Sequence, residues 1–87
     1  MATVFIPPLL RELTGGESKL SVPGESLREV IAELETRFPG ISGRLCEAGR
    51  IRPGMSVFVN SEISTVGLRQ RLSQDSEVHF LPAISGG

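Results

Sequence analysis

The strongest constraint on this chain is one amphipathic helix with a marked start and a marked stop. Ser26-Leu27-Arg28-Glu29 has the form of a capping box: the serine hydroxyl accepts from the Glu29 N–H, and the glutamate reaches back. Apolar residues then fall at Leu27, Val30, Ile31, Leu34 and Phe38, a single stripe at helical period. Glu33 and Arg37 lie one turn apart on the wet face in the favourable order. Pro39-Gly40 ends the element. One such stripe must be buried against another layer, so the rest of the chain has to supply a sheet. With 87 residues there is room for one domain and a small core.

Candidate strands flank the helix on both sides. Thr3 to Ile6 is a β-branched and aromatic run stopped by Pro7-Pro8, because proline cannot donate to a ladder. Leu9 to Thr14 reads as a connector with a helical turn, and Gly15-Gly16 as a turn. Lys19 to Val22 alternates, with Leu20 and Val22 on one face, and pairs with the first strand as a hairpin with a long loop. After the helix, Ile41 to Cys46 reads as a short helical turn with Ile41 and Leu45 inward. Glu47 to Gly54 reads as a surface loop. Val57-Phe58-Val59 is a strand ended by Asn60-Ser61-Glu62. Val66 to Leu72 holds a short helix with Leu68 and Leu72 inward, and Gln74-Asp75-Ser76 is a turn. Glu77 to Leu81 is the last strand, closed by Pro82. A hairpin, one long helix and further strands predict an α+β fold of the β-grasp (ubiquitin-like) kind, a mixed sheet packed on one main helix.

Composition excludes several classes of function. The net charge is −1, with eight arginines and one lysine, Lys19, interspersed with acids, so no nucleic-acid footprint is expected. The single cysteine, Cys46, forms no disulfide within the chain and has no Cys/His cluster around it to bind a metal. It is read as a small hydrophobe. The first residues lack the basic and apolar regions of a signal peptide, and no window spans a membrane, so a cytoplasmic protein is expected.

The sequence closes on Gly86-Gly87 after Leu81-Pro82-Ala83-Ile84-Ser85. Two glycines there suit a carboxylate that is itself the working group: without a Cβ, the backbone fits a narrow channel and adopts conformations that other residues avoid. Residues 1–82 are expected to form the β-grasp domain, and 83–87 a flexible tail reaching about 17 Å when extended.

The ending Glu77-Val78-His79-Phe80-Leu81-Pro82-Ala83-Ile84-Ser85-Gly86-Gly87 and the strand end Val59-Asn60 resemble the ubiquitin-like sulfur carriers of the MoaD/ThiS type. Ile6-Pro7-Pro8-Leu9-Leu10-Arg11, Thr14-Gly15-Gly16 and Phe38-Pro39-Gly40-Ile41-Ser42 are similar to the cysteine-pathway (CysO-like) branch. Gln74-Asp75-Ser76-Glu77 departs from the Gly-Asp that often precedes Glu-Val in the family.

The resemblance implies a carrier rather than an enzyme. Gly87 would be the adenylation and thiocarboxylate site, with Gly86, Ser85 and Ile84 as the tail that carries it. The carrier itself would bind no cofactor; ATP and Mg would be used by a ubiquitin-activating-type adenylating enzyme. A sulfur-accepting synthase, cysteine-synthase-like or the molybdopterin synthase large subunit, would be the second partner. Cysteine biosynthesis is the expected pathway. The alternatives are a molybdopterin synthase small subunit, a thiamine or natural-product sulfur carrier, or a ubiquitin-like protein modifier. If Val4, Ile6, Val57, Val59, Val78 and Phe80 face the helix, Phe5, Phe58, His79 and Leu81 turn outward as a candidate partner interface. Arg52, Arg69 and Arg71 are read as solvating arginines, with a rim to that interface as the alternative.

Overall fold

A computed structural model describes residues 1–82. Strand β1 (Ala2–Phe5) and strand β2 (Lys19–Val22) form an antiparallel hairpin, pairing Thr3 with Ser21 and Phe5 with Lys19. Helix α1 (Leu27–Arg37) follows, then the short helix α2 (Ile41–Leu45). Strands β3 (Cys46–Glu47) and β4 (Arg50–Ile51) make a small separate hairpin. Strand β5 (Met55–Val59), strand β6 (Glu62–Ile63) and strand β7 (Glu77–Pro82) complete the main sheet, ordered β2-β1-β7-β5-β6. Strand β7 is central, parallel to β1 and antiparallel to β5. Parallel neighbours need a long connection, and α1 lies within the one that joins β1 to β7. This is the mixed-sheet β-grasp arrangement, with a small second helix beside the main one.

The helix starts where the sequence places it. The Ser26 Oγ accepts from the Glu29 N–H at 3.3 Å. The Glu29 carboxylate reaches back one residue further than a standard capping box, accepting from the Glu25 N–H at 3.1 Å. Arg37 pairs with Glu33 at 3.0 Å and also donates to the Ser21 carbonyl at 3.0 Å, which ties the end of α1 to the edge strand. Gly24 makes the tight entry into α1: at φ 151° any Cβ would lie 2.9 Å from Val30 Cγ2, so only glycine fits.

One face of the sheet and the helical stripe close on each other. Val4, Ile6, Val57, Val59, Val78 and Phe80 are buried, as the alternation predicts, against Leu27, Val30, Ile31 and Leu34. Ile41 and Leu45 of α2 complete this core, while Phe38 is only half-buried at the helix end.

Three local expectations need correction. Glu47 to Gly54 is not a plain loop: its first half is the β3–β4 hairpin, turning at Ala48 and Gly49, which both have positive φ. Asn60-Ser61-Glu62 is not a simple strand end. Asn60 (φ 51°) and Ser61 (φ 71°) form a two-residue left-handed turn that folds β6 back onto β5. Val66 to Leu72 contains only a 3-10 turn at Gly67–Arg69, although Leu72 is buried and Leu68 half-buried as expected. Among the described residues, no helix is long and apolar enough to cross a membrane.

Candidate functional site

The sheet has a second face that no helix among the described residues covers, and its side chains follow from the register. Reading across the strands, Lys19 pairs with Phe5, Phe5 with His79, His79 with Phe58, and Phe58 with Ile63. Paired residues share a face, so one row of side chains crosses all five strands. The Phe5 and His79 rings stack with centroids 4.0 Å apart and planes within 4°. The Lys19 ammonium stands 5.9 Å from the Phe5 ring centroid. Phe5, His79 and Phe58 are half-buried, whereas Ile63 is 57% and Leu81 45% exposed. Phe5, Phe58, His79 and Leu81 therefore all lie on the open face. Ile63 joins them there and is the member that sequence reasoning missed. Its only signal was the Asn60-Ser61 pair, two residues suited to a turn with positive φ.

The last strand is fixed at its start by two side-chain clamps. Asn60 accepts from the Glu77 N–H through Oδ1 at 2.9 Å, and its own N–H donates to the Glu77 carbonyl at 2.9 Å. The buried Ser76 Oγ accepts from the Ser73 N–H at 2.8 Å, closing the turn before the strand. At the other end β7 runs to Pro82, paired with Met55. Gly87, Gly86, Ser85 and Ile84, with the rest of the 83–87 tail, lie outside the described residues.

Other candidate groups sit elsewhere. Cys46 packs against the core from β3, and burial pushes its thiol pKa up, with the Arg28 charge opposing, so it is a poor nucleophile. Arg52 is committed to Glu47 at 3.3 Å and to the Gly43 carbonyl at 3.2 Å. Arg71 forms a backbone bridge to Ser26 at the start of α1. Arg71 also lines a pocket beside Ile63 of the open face. Among the described residues, no group of three His, Cys, Asp or Glu gathers at one place.

Known proteins share this arrangement along nearly the whole chain. The sulfur carrier protein CysO of Mycobacterium tuberculosis is 37% identical over 90 aligned positions, covering 98% of this chain and 97% of that protein. CysO in the Amycolatopsis orientalis BexX/CysO complex superposes with a TM-score of 0.92 at 34% identity, covering 100% of both chains. The small archaeal modifier protein 3 of Haloferax volcanii is 30% identical over 61 positions, 68% of this chain and 66% of that protein. The ThiS family matches residues 4–87, the open face and the terminal glycines included, and this chain belongs to it.

Proposed function

We propose that this chain is a sulfur carrier in cysteine biosynthesis, and that its reacting group is the Gly87 carboxylate. The observation that carries the reading is the 37% identity to the CysO sulfur carrier over 98% of the chain. In support, the family match extends to residue 87.

The chemistry follows from the carboxylate. With an ordinary pKa of about 3.5 it is ionised at neutral pH and is a poor electrophile. A ubiquitin-activating-type partner with Mg·ATP joins one carboxylate oxygen to the α-phosphorus and releases pyrophosphate. A sulfide-level donor then attacks the acyl carbon and expels AMP, leaving a thiocarboxylate. Its sulfur is the nucleophile delivered to the acceptor in a cysteine-synthase-like enzyme. The carrier contributes a terminus and a docking face, Phe5, Phe58, His79 and Leu81 with Ile63; catalysis belongs to the partners. The clamps at Asn60 and Ser76 hold the start of β7 in register.

The test is intact mass spectrometry of the untagged protein after incubation with ATP, its adenylating enzyme and sulfide. A gain of about 16 Da mapped to Gly87 is expected, and the mapping separates it from oxidation of Met or Cys46. Deleting Gly86-Gly87 should abolish the gain and leave the melting temperature unchanged. The similarity to an archaeal modifier favours one second reading, conjugation of Gly87 to target lysines. Higher-mass conjugates that vanish with the same deletion would select it.

A further inference from the structure

Beside the exposed end of β7 lies a cleft of about 260 Å³ between β1, β7 and the segment that follows Pro7. Its floor is apolar, built from Phe5, Ile6 and Leu81. Its polar lining includes Arg11, Lys19 and His79, and among the described residues no acid lines it.

The two permanent cations are placed differently. Arg11 is half-buried, and its Nε donates to the Ile6 carbonyl at 3.1 Å, which fixes the plane of the guanidinium. No other hydrogen bond to this side chain occurs among the described residues, so its two NH₂ groups remain available. A guanidinium oriented in advance is suited to paired hydrogen bonds with a carboxylate. Lys19 is exposed and stands over the Phe5 ring at the opposite margin. The salt bridges among the described residues are Glu33–Arg37 and Glu47–Arg52, so neither Arg11 nor Lys19 has an acidic partner there. Two unmatched cations thus flank an apolar floor that is continuous, through Phe5 and His79, with the open sheet face.

We infer that this cleft receives a carboxylate-bearing side chain of the adenylating partner, with Arg11 and Lys19 as its recognition groups and Phe5 and Leu81 packing against the carbon stem. The inference rests on the proposed carrier function and names the partner chemistry at the same face. Charge complementarity beside the strand that leads to the tail would steer the terminus toward the partner's site as the two proteins meet.

The experiment is ATP–pyrophosphate exchange by the adenylating enzyme encoded in the same genome, with the full-length carrier as variable substrate. For Arg11→Gln and Lys19→Gln we expect the KM for the carrier to rise about threefold each, and for the pair about tenfold, with kcat unchanged. The wild type should lose affinity between about 0.05 M and about 0.5 M salt, and the double variant should show a flatter dependence. Arg52→Gln, which does not line the cleft and is paired with Glu47, should match the wild type. Lys19→Gln guards against misfolding, because Lys19 is exposed and, among the described residues, its side chain makes no hydrogen bond. If the wild type is exchanged efficiently and the double variant keeps its KM and salt dependence, the cleft inference is overturned while the carrier reading stands. If the wild type is not a substrate at all, both fall.

Discussion

Strand β7 offers two faces to two environments. Val78 and Phe80 point into a core sealed by α1 and are almost wholly buried, whereas His79 and Leu81, alternating with them, point to a face with no helix on it. The inner face is largely apolar, and the outer face carries four large apolar residues, Phe5, Phe58, Ile63 and Leu81, among polar ones. On the inner face, burial against the helical stripe accounts for the apolar residues: each removes area from water within the chain itself. On the outer face nothing in the described chain does so. Phe5 and His79 stack on each other and Phe58 is half-buried in the same row, yet Ile63 and Leu81 remain open. Alternation separates the two faces; the structure adds which one is already covered.

That contrast is sharpest at adjacent positions. Phe80→Ala should lose about 3–5 kcal/mol, transfer and cavity terms together, with a fall in melting temperature on the order of 20 °C. Leu81→Ser, the next residue, should stay within about 0.5 kcal/mol of wild type. Thermal denaturation of the two variants measures the gap directly, and equal losses would mean that the outer face is structural after all.

A smaller effect is expected from Phe58→Ser combined with Ile63→Ser. Stability should fall by no more than about 1 kcal/mol, while affinity for the adenylating enzyme should fall by about 2 kcal/mol, near thirtyfold, if this row is a docking centre. Calorimetric titration reads the second quantity and thermal melting the first.

The smallest effect concerns the end of α1 and acid. The Glu35 carboxylate accepts from the Gly40 N–H at 2.9 Å and the Ser42 N–H at 2.9 Å, fastening α2 to the end of α1. Those bonds, Gly40 first, hold its pKa below the usual carboxylate range. Because the folded value lies below the unfolded one, the contribution is present at neutral pH and is lost as pH falls through the folded value. Glu35→Gln should therefore melt slightly below wild type at neutral pH, and the difference should close on acidification. A gap that widened in acid would refute this role.

The parts of the fold that were legible in the sequence are those written in local chemistry. Ser26 and Glu29 mark the helix start, and alternation along Val57-Phe58-Val59 and Val78-His79-Phe80 sorts the two faces without any knowledge of partners. Short hairpins escaped because two-residue strands carry no period to read. The β3–β4 turn places Ala48, an unremarkable residue for the purpose, at φ 54°. Register escaped for the same reason: only the three-dimensional pairing sets Lys19, Phe5, His79, Phe58 and Ile63 in one row. The flanking cations were not legible either, since Arg11 enters the cleft through a bond to the Ile6 carbonyl that leaves no trace in sequence spacing. Arg52, which lies near an acid in the chain, is spent on that acid.

The central place of β7 has a mechanical consequence. A partner that seizes the terminus and draws it inward pulls along the axis of a strand held by ladders on both sides, β1 in parallel and β5 antiparallel. Such a pull loads many hydrogen bonds in shear at once, instead of peeling them away singly as it would from an edge. Under the proposed carrier function, the domain would act as a rigid handle when a partner draws on its last strand.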